Sequence, residues 1–161
     1  MNRNDLLNLI SKIEASDKAT QKEVLERFNN MAKPIKGLGE FENLIAKLAA
    51  MQGKPDVDIS KKCVIVMCAD NGVVKEGVSQ TDSSVTAVVT RNFARKTTTV
   101  NILSSYTDTD VIPVDIGVIE DFGEEGIVDK KVAKGTKSFL DEAAMSEEEL
   151  IKAITAGLDM I

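Results

Sequence analysis

The sequence predicts an α/β fold: a parallel, Rossmann-like sheet domain preceded by an N-terminal helical subdomain. Three observations predict it. Cys63-Val-Ile-Val-Met-Cys68 is a short apolar run of the kind a fully buried parallel strand requires. Asp110-Val-Ile-Pro-Val-Asp-Ile-Gly117 repeats the pattern, and both runs close on Asp-x-Gly, at Asp70-Asn71-Gly72 and Asp115-Ile116-Gly117. Three amphipathic helical segments come before the first run. The expected organisation is residues 1–55 as the helical subdomain and 56–161 as the first part of the sheet domain.

The elements follow in order. Asn4 to about Ala15 has Leu6, Leu7, Ile10 and Ile13 on one helical face. Asp17 to Met31 carries Val24, Leu25 and Phe28, and Pro34 closes it because the residue before a proline is driven from helical backbone angles. Lys36-Gly37-Leu38-Gly39 reads as a turn. Glu40 to Met51 places Phe41, Leu44, Ile45, Leu48 and Ala49 at helical spacing, with Gly53 and Pro55 as stop signals. After the first strand, Asp82 or Ser83 can cap a helix through Val85, Val88, Val89 and Phe93. The β-branched run Thr97-Thr98-Thr99 predicts a break and then a short helix through Val100, Leu103 and Tyr106. The second strand is expected at about Val111–Asp115. Ile127–Val132 fits a short strand or irregular chain. Ser146 with Glu149 spells a capping box for a last helix through Leu150, Ile151 and Ile154.

Two parallel strands do not make a stable independent sheet. The expectation is therefore that this is the N-terminal part of a longer α/β protein; the competing reading is a last helix that docks and stops.

Composition narrows the function. The 161 residues carry a net charge of −6, which disfavours a nucleic-acid backbone as partner. Aromatics are only 4%, too few for a base-stacking platform. There is no His, so His-based nucleophile systems and His-ligated zinc are excluded within the chain. Cys63 and Cys68, five apart in one strand, point to opposite faces and cannot pair there. Free buried thiols, no leader and no apolar run of membrane-spanning length point to a cytoplasmic protein without membrane insertion.

Ligands of open α/β sheets bind outside the carboxyl ends of the strands, so Asp70, Asn71, Gly72 and Asp115 stand where binding groups are expected. The two carboxylates can serve as catalytic acids, ligand-binding groups or structural caps; capping by backbone N–H groups accounts for them without chemistry. The Gly72–Gly77 segment matches neither a dinucleotide-binding nor an ATPase phosphate loop. Ser79, Gln80, Thr81, Ser83 and Ser84 form a hydroxyl-rich loop before a helix. It suits a polar ring or an anion, although such a segment is more often an ordinary helix cap. Lys33, Lys36 and Lys47 read by default as a solvated face. Glu147-Glu148-Glu149 suits a helix first turn, where the dipole favours acids.

Several blocks together resemble the nicotinate-nucleotide–dimethylbenzimidazole phosphoribosyltransferase family. They are Lys33-Pro34 with Gly37-Leu38-Gly39 and Glu42; Ala69-Asp-Asn-Gly-Val73 with Glu76-Gly-Val-Ser79; Val85-Thr86; Val114-Asp-Ile-Gly-Val118; and Gly135-Thr136 with Ala144-Met145-Ser146. Asn71 stands where many members have His, and Lys36-Gly37 replaces a Gly-Ser pair. The resemblance implies attack of an azole nitrogen of dimethylbenzimidazole, or a related base, on C1′ of nicotinate mononucleotide. It implies Ser79, Thr81 and Val89 at the azole site, with Asp70, Asn71 and Gly72 at the adjoining strand end. It further implies no metal or cofactor, and a homodimer. The family's glycine-rich phosphate segment and catalytic Glu fall beyond Ile161, so no catalytic residue is assigned here. A non-catalytic binding or assembly module of the same family is the alternative.

Overall fold

The computed structural model describes residues 1–161 in full. Their order is α1 (Arg3–Ile10), α2 (Lys18–Asn29), α3 (Glu40–Gln52), β1 (Cys63–Ala69), a 3-10 turn (Gly72–Glu76), α4 (Ser84–Ala94), α5 (Thr99–Ser105), β2 (Asp110–Gly117), β3 (Val128–Asp129) and α6 (Glu147–Leu158). Contacts gather into two compact units, Leu9–Lys61 and Met1–Asn8 with Lys62–Ile161.

In the first of these units α2 packs on α3 through Val24, Ala46 and Ala49, with Phe28, Ile45 and Val57 around them. Asp17 caps α2 by accepting from the N–H groups of Ala19 and Thr20, at 2.8 and 3.2 Å. Gly53 ends α3 in the left-handed conformation, φ 65°, as the sequence predicts. Lys33 departs from the solvated-face reading: its Nζ lies 2.7 Å from the buried carboxylate of Glu42, which also accepts from Leu38 N–H. The Lys33 ammonium holds the Glu42 carboxyl below its ordinary value. This pair fastens the Lys36–Gly39 turn to α3.

The second unit is a three-stranded parallel sheet in the order β1-β2-β3. Cys68 packs with Ala87 of α4 and Val118, backed by Val66, Phe93 and Phe122. Met67, the neighbour of Cys68 in the strand, points to the other face, where a Cβ added to Gly157 of α6 would stand 3.8 Å from its methyl. Helix α4 thus packs on one face, while α6 only approaches the other, where Met67 remains 42% exposed. Pro113 sits in the middle strand without breaking it. Asp110 N–H bonds Lys62 O on the β1 side, while Asp115 O accepts Lys130 N–H on the β3 side. Val111, Pro113 and Asp115 thus turn their peptide groups toward β3, and the missing N–H of Pro113 falls beyond the two-residue reach of that strand.

Four expectations change. Helix α1 stops at Ile10 rather than near Ala15; none of its residues is buried, so no packing holds a further turn. Strand β1 is not fully buried, because it is an edge strand: Cys63 is exposed and Met67 is 42% exposed. The segment after Asn71 is a 3-10 turn, for which the sequence carries no signal. At α4, Ser83 holds the cap position but makes no side-chain bond, and the Asp82 carboxylate accepts Ser84 N–H at 2.9 Å instead. The break after α4 and the Ser146–Glu149 capping box form as read, and Thr98 of the β-branched run turns out to cap α5.

Candidate functional site

The carboxyl ends of β1 and β2 lie side by side, held by Asp70 N–H donating to Gly117 O at 3.0 Å. Asp115 is buried. Its Oδ1 accepts from Gly117 N–H and Val118 N–H at 3.1 and 2.9 Å, and its Oδ2 lies 3.2 Å from Lys131 Nζ. Every acceptor of this carboxylate that matters for the turn is used. Asp70 is equally buried and its Oδ2 accepts from Ile119 N–H at 2.8 Å, but its Oδ1 has no donor. Both acids thus hold strand-end turns, and only one is fully satisfied.

Two concave spaces adjoin at Ala69, which lines both. The first is a groove of about 290 Å³ between the outer edge of β1 and the face of α4. Val66, Met67 and Cys68 form one wall; Thr81, Val85 and Val89 stand on the other. Thr81 and Val89 are thereby brought together, with Val89 38% exposed. Burial pushes the Cys68 thiol up, which keeps it protonated and unreactive at neutral pH. Ser79 is not in the groove wall; its Oγ accepts Thr81 N–H at 3.3 Å and so steadies the residue that is. The second space is a cavity of about 290 Å³ over the strand ends, lined by Asp70, Gly117, Thr136, Met145 and Glu149 among others.

Asn71 and Gly72 line neither space. Asn71 is exposed at the start of the 3-10 turn. Gly72 serves packing: its N–H donates to Thr136 Oγ1 at 3.1 Å, and a Cβ there would stand 2.4 Å from Thr136 O. The Gly135–Ser138 segment is thus laid directly on the first Asp-x-Gly turn. The sequence carried no signal for Thr90 and Phe93, which floor the groove, or for Lys131 as the partner of Asp115. Lys131 Nζ also bonds Asp121 at 2.9 Å and sits 5.9 Å from the Phe122 ring, so it joins the turn after β2 to the segment after β3.

A family model described as phosphoribosyltransferase matches residues 13–161. The chain belongs to that family. This phosphoribosyltransferase-family chain is 38% identical over 154 residues to the nicotinate-nucleotide–dimethylbenzimidazole phosphoribosyltransferase of Clostridium acetobutylicum, covering 96% of the chain and 44% of the relative. It is 44% identical over 138 residues to the protein of the same name from Acetivibrio thermocellus, covering 86% and 39%. The crystal structure of nicotinate-nucleotide–dimethylbenzimidazole phosphoribosyltransferase from Thermus thermophilus superposes with a TM-score of 0.80 at 32% identity, over 88% of this chain and 43% of that one. The chain therefore spans less than half the length of the relatives it matches. No helix is long and apolar enough to cross a membrane.

Proposed function

We propose that this chain serves phosphoribosyl transfer from nicotinate mononucleotide to 5,6-dimethylbenzimidazole or a related base, with the groove between β1 and α4 as the base site. The C1′–N bond to nicotinate breaks and a C1′–N bond to the azole forms; nicotinate leaves, and the azole proton passes to a carboxylate base. The product is α-ribazole 5′-phosphate. The supporting observation is the pairing of Thr81 and Val89 across from the edge of β1: a slot in which Val66, Val85, Val89 and Phe93 alternate with the hydroxyls of Thr81, Thr86 and Thr90 suits a flat, methylated heterocycle with a nitrogen to anchor. Ser79 acts by holding Thr81. Asp70 and Gly72 act by shaping the strand end, and Asn71 offers an exposed amide beside it. In this reading residues 1–55 form a helical subdomain and the assembled protein is a cytoplasmic homodimer. The exposure of Leu38, Phe41 and Leu44, each more than half exposed on the helical unit, supports a further apolar contact. Light scattering at micromolar concentration tests the dimer, and a monomer refutes it.

The reading is tested at Val89, where many relatives place Gln. An isopropyl group cannot hydrogen-bond the base, so Val89→Gln in the complete enzyme is expected to change the ratio of kcat/KM between dimethylbenzimidazole and unsubstituted or phenolic bases by about tenfold, ~1.4 kcal/mol. An unchanged ratio removes Val89 from the base pocket.

A further inference from the structure

Asn71 is followed by Gly72, and no other asparagine of the chain precedes a glycine. That pair has a chemistry of its own. A backbone nitrogen can attack the side-chain amide of the residue before it, and glycine, with no Cβ, obstructs the approach least. Asn71 is exposed at the head of the 3-10 turn, where solvent reaches its carboxamide. The electrophile is therefore open to reaction. What the fold withholds is the nucleophile.

The Gly72 N–H donates to Thr136 Oγ1 at 3.1 Å. Asn71 has ψ 122°, which turns the Gly72 nitrogen away from Asn71 Cβ, whereas closing a five-membered ring requires the two to eclipse. The peptide group between the two residues must rotate first. Rotation also takes Asn71 O from Val74 N–H, which it now accepts at 3.0 Å. There is no space for the movement while the chain above stays in place: a Cβ on Gly72 would stand 2.4 Å from Thr136 O and 2.5 Å from Lys137 C. The Gly135–Ser138 segment has to lift. It is fastened by Thr136 N–H donating to Asp70 O and Gly135 N–H donating to Gly117 O, both at 3.0 Å. Ser138 Oγ adds a bond to Glu76 at 3.2 Å.

We propose that Asn71 is a site of spontaneous deamidation gated by the Gly135–Ser138 segment, with reaction proceeding only from the conformer in which that segment has lifted. In that conformer the Gly72 nitrogen loses its proton and bonds to Asn71 Cγ. The Cγ–Nδ2 bond breaks, and ammonia leaves with the proton. Water then opens the succinimide at either carbonyl and leaves aspartate or isoaspartate at position 71. No oxidant or cofactor enters. Either product sets a new carboxylate next to Asp70, whose Oδ1 already lacks a donor. Isoaspartate also lengthens the main chain by a methylene where Gly72 has no room, so the segment cannot reseat. The modification is a one-way record of opening, and it does not depend on the function proposed above.

The test is peptide mapping by mass spectrometry of the chain held at mildly alkaline pH, beside a synthetic peptide spanning Val66–Gly77. Asn71 in the folded chain should convert about a hundredfold more slowly than in the peptide, because its rate carries the open fraction of the segment. Equal rates overturn the gate. Thr136→Val keeps the shape of the side chain and removes the acceptor of Gly72 N–H, so conversion should run about three- to tenfold faster than in the wild type. Thr136→Ser keeps the hydroxyl and should stay at the wild-type rate. A valine variant that is folded by circular dichroism and no faster overturns the proposal, and so does a serine variant as fast as the valine one. Should the valine variant not fold, Ser138→Ala tests the same lift by untying the segment from Glu76. It should raise the rate by about threefold or more. A folded Ser138→Ala chain with an unchanged rate overturns the proposal.

Discussion

The two strand ends share one phrase, an apolar run closing on Asp-x-Gly, yet the residues do different work. After β2, Asp115 is tied to two backbone N–H groups and to Lys131, and Gly117 has room: a Cβ there would meet Ala69 Cβ at an ordinary 3.4 Å. After β1, Asp70 keeps one oxygen without a donor, while Gly72 has no room at all. The second end is a closed structural knot. The first combines tight backbone packing with an unfinished carboxylate, beside the groove and the cavity. Identical motifs thus diverge according to what the following segment lays against them.

The largest effect is expected from Asp115→Ala. It leaves two buried N–H groups without their acceptor and takes from Lys131, whose side chain is only 17% exposed, one of its two carboxylates, Asp121 remaining at 2.9 Å. Urea unfolding should show a loss of about 2–4 kcal/mol. A cost near that of a surface substitution would break the contrast between the two ends. The glycines sharpen it further. Gly72→Ala pushes a methyl into the backbone of Thr136 and Ser138 and should cost about 1–3 kcal/mol, whereas Gly117→Ala, in ordinary contact, should cost less than ~1 kcal/mol. The order reversed would show that the Gly135–Ser138 segment does not rest on the first turn.

Asp70→Ala removes one hydrogen bond together with an oxygen that has no donor, so the two changes partly offset. The expected loss is about 1 kcal/mol, well under that of Asp115→Ala, by the same unfolding measurement. Equal losses would mean the two acids are equivalent after all.

The smallest effect is a titration. Lys134 and then Lys131 hold the exposed Asp121 carboxyl down to about 2 from its ordinary 3.8. The folded value is the lower one, so whatever Asp121 adds to stability is present above about 3.8 and is lost as the pH falls toward about 2. Carboxyl-carbon NMR should show the Asp121 midpoint moving up toward 3.8 in Lys134→Ala. No movement would place the cause elsewhere.

What the sequence discloses is local. Gly53 and Ser146–Glu149 act within a few residues of themselves, and the stop and the capping box form where the pattern places them. The two parallel strands are legible from their apolar runs. What stays hidden is set by distant partners. The edge position of β1 depends on strand order, which periodicity does not encode. Gly72 looks like a binding-loop glycine until residues 136–138 are seen resting on it. Lys33 looks solvated until Glu42, nine residues on, is found buried beneath it. At the site, Val89 sits on α4 but Thr81 lies in the loop before it, so their eight-residue spacing does not by itself show that they meet, nor does it reveal the wall opposite them.

Pro113 bears on solubility. An interior proline is usually read as a defect of a strand, but here it disarms one flank of the sheet. Next to β3, which reaches only Val114 and Asp115, the remaining length of β2 cannot offer a continuous ladder to a stray chain, because one donor is missing from it. The opposite flank carries Cys-Val-Ile-Val-Met-Cys-Ala with every donor in place, a seven-residue uncharged template for cross-β self-association. Aggregation of the isolated chain should therefore start from Cys63–Ala69, and a single lysine at Met67 should suppress it where lysine at Val128 does not.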